Sequence, residues 1–231
     1  MKIGITTLHN YNFGSALQCF ATQEYLAKKG IESEVVDIAG SVNPLKHVVS
    51  VVWGLLCLCI KHPLSTKKIL KMFLSQRGGS LTLTSESMNS LQQFNDVFLQ
   101  RFTYTRKHLQ DLAHSDVFDY FFSGSDQVWN GARIDQYDKY FLRFAPKEKR
   151  VAWAASFGGG RVEDYNITRY KRYISDFMHI SVREKSGIEI VKELTGRSSV
   201  NLPDPIMLLS AQQWREKTEI TPPIIPQTAI Y

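Results

Sequence analysis

The sequence has 231 residues, 43% hydrophobic and 22% charged, the ordinary composition of a globular protein with room for one large domain or two small ones. Its net charge of +6 favours anionic partners (phosphates, carboxylates or an anionic membrane surface), and no nucleic-acid partner is expected. Three cysteines, Cys19, Cys57 and Cys59, lack metal-ligand spacing and no conventional signal peptide is present, which predicts a reduced, cytoplasmic chain without a metal.

Residues 2–7, KIGITT, read as a short buried strand rich in β-branched residues. In NYNFGSALQCFAT (10–22), Ser15 can cap a helix running to about Lys29, with Gly30 as its C′ residue. Ala16, Leu17, Phe20, Ala21 and Ala27 give that helix an apolar face. ESEVVDI (32–38) is a second strand ending near Asp37, so strand, helix and strand make a βαβ unit with a right-handed crossover.

Residues 41–110 break the alternation and read as a helical insertion. It contains the apolar run VVSVVWGLLCLCI (48–60), a basic helix around 65–75, the amphipathic stretch SLQQFNDVFLQRF (90–102), and RGGS (77–80) as a flexible joint. The apolar run is too short to cross a bilayer of about 30 Å. With Lys46, His47, Lys61, His62, Lys67, Lys68 and Lys71 around it, two readings stand. One is a helix lying in a membrane interface, with peripheral contact through 48–71; the other is a core helix followed by a solvated basic face.

The alternation resumes with FDYFFSG (118–124), a strand leading into the loop SDQVWN, and RVAWAAS (150–156), a strand leading into FGGGR. A helix over 164–177, the strand HISVR (179–183), a helix over 184–196 ending at Gly196 and a last strand SVNLPDP (199–205) complete the pattern. After a short helix near 212–217, TPPIIPQ reads as a linker and TAIY as the start of another strand. The expected architecture is α/β: a Rossmann-like, doubly wound parallel sheet over 1–218, with 219–231 leading into a second domain.

In such sheets ligands bind beyond the carboxyl ends of the strands. The loops to inspect are therefore 8–15, 124–130, 156–161 and the pair Arg183–Glu184. Gly14 allows close backbone approach, and Ser15 opens a helix whose free N–H groups favour anions; a plain turn and cap is the alternative. No G-x-G-x-x-G follows the first strand and no P-loop occurs, which excludes a standard dinucleotide or P-loop site. Ser125, Asp126 and Gln127 offer hydroxyl, carboxylate and amide together, the mix that suits sugar hydroxyls, unless Asp126 only caps and Trp129 only packs. Arg183 can grip a phosphate or carboxylate bidentately, or form an ion pair with Glu184 or a neighbouring carboxylate. Among six scattered histidines, His9 is the one beside a candidate loop.

The ordered segments KIGITTLHNYNFGSALQCFATQEYL, FSGSDQVWN, YFLRFAP, KRVAWAASFG, SVREKSGIEIVKELTG and LPDPIMLL resemble the polysaccharide pyruvyl transferase family, from Met1 to about Trp214. The resemblance implies the N-terminal half of a two-domain, glycosyltransferase-B-like (GT-B-like) enzyme. It implies transfer of a pyruvyl group from phosphoenolpyruvate onto two hydroxyls of a sugar, forming a cyclic ketal on a surface or exopolysaccharide precursor. No cofactor is implied, and the partners are phosphoenolpyruvate and a glycan or lipid-linked sugar acceptor. By matching positions, Arg183 and Asp126 are the expected catalytic residues, and Asn12, Gly14, Ser15, Gln18, Ser125, Gln127 and Ser156 the expected substrate-binding ones. A nucleotide-sugar glycosyltransferase on the same scaffold, with Asp37 reading a ribose, and a truncated, non-catalytic binding domain are the alternatives.

Overall fold

KIGIT, YFFS, RVAWAA and HISV bury most of their residues on both faces, as interior strands of a parallel sheet do. The computed structural model describes residues 1–39, 44–78, 84–133 and 138–218. Its elements in order are β1 (Lys2–Thr6), α1 (Phe13–Lys28), β2 (Glu32–Ile38), α2 (Pro44–Lys61), α3 (Thr66–Gly78), α4 (Ser85–Phe98), β3 (Arg101–Tyr104) and α5 (Arg106–His114). They continue with β4 (Tyr120–Ser123), β5 (Arg150–Ala155), α6 (Asp164–Ser175), β6 (His179–Val182), α7 (Lys185–Thr195), β7 (Val200–Asn201) and α8 (Ala211–Thr218). Residues 219–231, read from sequence as a linker and the start of a strand, and Gly79 and Ser80 of the RGGS joint lie outside the described residues.

The seven strands form one sheet in the order β3-β2-β1-β4-β5-β6-β7, and every pair is parallel. The order reverses between β1 and β4, so the loops at their carboxyl ends splay apart over a switch point. Side chains alternate between two faces. Val35, with Cys19, Phe20, Leu99 and Leu209, packs against α1 and α4 on one side. Val36, Phe121, Ala152 and Val182 pack with Leu109, Ile174, Ile190 and Val191 of α5, α6 and α7 on the other. The protein is thus a doubly wound, Rossmann-like α/β fold.

Three local readings are corrected. The helix α1 begins at Phe13, not at Ser15: the Asn12 side chain accepts from the Ser15 N–H at 2.8 Å, and Ser15 Oγ accepts from the Asn12 N–H at 3.2 Å. This reciprocal capping box satisfies two donors at once. Second, the stretch 90–102 is not one amphipathic helix, because α4 stops at Phe98 and the chain turns extended into β3. Gln23 of α1 explains the break. Its Oε1 accepts from Gln100 N at 3.1 Å, while its Nε2 donates to Gln100 O at 3.0 Å and Ser33 O at 3.2 Å. Tertiary hydrogen bonding overrides the local helical pattern here. Third, β7 is only two residues long; Pro203 follows and has no N–H to continue the ladder.

Gln23 is buried, so Gln23→Ala would remove the acceptor of the Gln100 N–H at the approach to β3, while Gln100 O keeps Val35 N at 2.7 Å. The expected loss is about 2 kcal/mol of unfolding free energy, read as a lower urea midpoint at unchanged slope.

Candidate active site

The loop after β4 stays bonded to the sheet instead of leaving it. Gly124 N donates to Thr6 O at 3.1 Å, Thr7 Oγ1 donates to Ser125 O at 3.0 Å, and Ser125 Oγ donates to Ala154 O at 2.8 Å. On the β5 side, Ser156 N donates to Asp126 O and Trp129 N donates to Ser156 O, both at 3.0 Å. A Cβ at Gly124 would stand 2.4 Å from Trp153 O, and its φ is +112°, so glycine is required for this approach. The Gly124–Ser125 peptide is cis. Trp129 anchors the far end of the loop: fully buried, it stacks on Phe141 at 5.9 Å and meets the edges of Phe157 and Phe177 at 5.5 and 5.1 Å.

Asp126 sits at the crest of this loop with φ +63°, a left-handed conformation that aspartate tolerates better than most residues. Its Oδ1 accepts from Gln127 N at 2.8 Å. Arg183, immediately after β6, places one guanidinium nitrogen 2.7 Å from Asp204 Oδ2 and another 3.9 Å from Asp126 Oδ1. The ion pair is thus made to a neighbouring carboxylate; Glu184 instead accepts from Phe157 N at 2.6 Å. Burial pushes the Asp126 carboxyl above its ordinary range. The Gln127 N–H and Arg183 oppose that shift, and Asp204 adds to it.

Beyond β5 and β6 these loops enclose an open cleft of about 390 Å³, lined by Gln127, Ser156, Gly158–Gly160, Arg183, Glu184 and Ser186. No side chain caps the amino end of α7, whose first turn contributes Ser186 to this wall. Gly187 N already donates to Glu184 O at 3.0 Å, and the helix dipole favours an anion there. The cleft therefore offers one arginine, one helix amino terminus and a hydroxyl, beside a carboxyl that burial raises above its ordinary range.

Of the residues singled out by sequence, Gln127, Ser156 and Arg183 line this cleft and Asp126 adjoins it. Ser125 lies beneath, fully buried against β5. Asn12, the cap of α1, and Gly14, Ser15 and Gln18 in its first turns do not line the cleft. Asn12 and Ser15 cap each other, with Gly14 between them. Gln18, also buried, donates from Nε2 to Leu8 O at 2.9 Å and Ser15 O at 2.7 Å, holding the shape of the loop after β1. A second polar group stands at the switch point: buried His9 has Nε2 3.2 Å from Asp37 Oδ2. Burial pushes Asp37 upward, but His9, Lys139 and Arg101 outweigh it and hold the carboxyl below its ordinary range.

Sequence reasoning missed Asp204 and Lys139. Asp204 carried a usable signal, because LPDP follows the last strand and so falls at the carboxyl edge of the sheet. Lys139 lies in a 3-10 turn, Asp138–Phe141, that no periodicity marks.

The profile of the polysaccharide pyruvyl transferase family matches residues 12–226, a span that takes in the cleft and every residue lining it. The chain belongs to that family. Compared directly with curated proteins and with solved structures, it matches none. As a member of the pyruvyl transferase family it is an enzyme.

Because Asp126 has a raised pKa in the folded state, its effect on stability is favourable below the unfolded value, near 3.9, and is lost as pH rises through the folded value. Asp126→Asn removes the buried charge. The variant is expected to be more stable than the parent at pH 7, with the difference closing below about pH 4, in paired thermal melts across pH.

Proposed function

We propose that this pyruvyl transferase takes phosphoenolpyruvate as donor and converts two hydroxyls of a sugar into a pyruvyl ketal, in the cleft beyond β5 and β6. The family match over residues 12–226 carries the proposal. Three features of the cleft support it. Arg183 and the amino end of α7 suit the donor's phosphate and carboxylate. Asp126, whose carboxyl burial raises above its ordinary range, suits a general acid. Gln127, exposed, and the Ser156 hydroxyl suit the sugar hydroxyls.

The chemistry then runs in four movements. Asp126 gives its proton to C3 of the enol, turning the methylene into a methyl and leaving C2 electron-poor. The first sugar hydroxyl attacks C2, and its proton restores Asp126. The C2–O bond to phosphate breaks, helped by the cations around the leaving oxygens. The second hydroxyl closes on C2, and its proton leaves with inorganic phosphate. Arg183 must exchange its Asp204 partner for the donor, so a ligand has to bring its own negative charge to compete. In the GT-B-like arrangement proposed for the whole enzyme, a second domain supplies further cations from across the cleft. The acceptor on this reading is a glycan or lipid-linked sugar of a surface polysaccharide precursor.

Phosphate release from phosphoenolpyruvate that depends on a sugar acceptor is the expected activity. Asp126→Asn should lower kcat about 100-fold or more. Arg183→Ala should weaken donor binding in calorimetry, with Arg183→Lys restoring part of it. Nucleotide release from a sugar nucleotide, or parental rates in both Asp126→Asn and Arg183→Ala, would count against this reading.

A further inference from the structure

Among the described residues, the α2–α3 hairpin gathers a run of exposed apolar side chains, far along the chain from any residue of the cleft. Val52, Trp53, Leu56 and Ile60 of α2 are exposed, Trp53 at 68% and Ile60 at 78%. At 3.6 residues per turn these four fall within an arc of about 100° on one helix face. Leu64, in the turn between the helices, is fully exposed, and Leu70 and Leu74 of α3 extend the patch. Scattered surface leucines need no explanation, but a contiguous helix face that includes a tryptophan does.

The same segment holds the charge of the molecule. Between Ile38 and Ser85 there is no aspartate or glutamate, while Lys46, Lys61, Lys67, Lys68, Lys71 and Arg77 all fall there. The whole chain has 28 basic and 22 acidic side chains, so these six account for its entire net charge of +6. The rest of the protein is electrically balanced. On α3, Lys67 and Lys71 are exposed on the same side as Leu70 and Leu74, setting ammonium groups beside the apolar face.

The hairpin is held to the body. Ile69 is fully buried, and Lys68 pairs with Glu163, three residues beyond Gly160 of the cleft. Whatever the patch touches is therefore brought close to the loop that walls the cleft. Among the described residues, no helix is long and apolar enough to cross a membrane.

We propose that the exposed face of α2–α3 docks the protein onto the surface of an anionic lipid bilayer, with Trp53, Leu56, Ile60 and Leu64 entering the headgroup–acyl boundary and Lys61, Lys67 and Lys71 facing lipid phosphates. An apolar helix face with a lysine border is the pattern of interfacial helices, and tryptophan favours that depth. A second copy of the chain fits worse, because pairing two of these faces brings two wholly basic segments together with no acidic group to offset them. The docking does not depend on the reaction proposed above, and its test reads no catalytic activity.

The test is co-sedimentation of the whole chain with phosphatidylcholine vesicles, with and without phosphatidylglycerol. Binding is expected only with the anionic lipid. It should fall as salt rises and be at least about tenfold weaker in Trp53→Glu/Ile60→Glu and in Lys67→Glu/Lys71→Glu. Unchanged circular dichroism and melting in these surface variants would show that the fold is retained, and Trp53 emission should shift to the blue on binding. The proposal is overturned if anionic vesicles bind no better than neutral ones, or if both double variants sediment like the parent. It is equally overturned if the parent forms a dimer that Trp53→Glu/Ile60→Glu abolishes, or captures a soluble protein through this face without lipid.

Discussion

The stitch that carries the loop 124–131 across the tips of β1, β4 and β5 is the constraint on which the site depends. A β-strand normally releases its chain at the sheet edge, and the loop is then free to wander. Here hydrogen bonds on both sides hold it: Thr6 O and Thr7 Oγ1 on one flank, Ala154 O and the Ser156 backbone on the other. The approach demands glycine at 124, and the buried ring of Trp129 pins the far end. Asp126 is thereby presented on rigid backbone at a fixed reach from Arg183, though neither residue lies in a regular element. Positioning of this kind removes entropy before any ligand arrives.

Electrostatics at the cleft follow from that placement. Arg183 lies between Asp204 and Asp126 and is poorly satisfied by the second, at 3.9 Å. An arginine with a close partner on one side and a distant one on the other keeps its orientation while leaving donors for a ligand. Burial foremost, with the neighbouring Asp204 carboxylate, raises the Asp126 carboxyl above its ordinary range. One arrangement thus sets a cation and a carboxyl of raised pKa next to each other.

Much of this was legible in the sequence. The strands β1, β2, β4, β5 and β6, with the helices following β1, β5 and β6, showed as apolar runs bounded by glycine and polar turns, and the carboxyl-end rule led to Asp126, Gln127, Ser156 and Arg183. What escaped depends on contacts between distant segments. β3 was hidden because RFTY continues the helical spacing of α4, and that helix ends through contacts with distant segments, the Gln23–Gln100 hydrogen bonds and the pairing with β2. Gln18 and Ser125 looked like ligand groups because exposure cannot be read from a single sequence; both are buried and hydrogen-bonded within the fold. Asp204 was passed over because its partner lies 21 residues earlier, a pairing that exists only once β6 and β7 are side by side.

A crystal structure of the chain with phosphoenolpyruvate tests the central claim, that parallel strand ends gather Arg183, Asp126 and the start of α7 into the donor site. The predicted result has a phosphate or carboxylate oxygen within about 3 Å of the Arg183 guanidinium, with the Asp204 contact released. Donor density at the switch point beside His9, Asp37 and Lys139, with the Arg183–Asp204 pair intact, would contradict it.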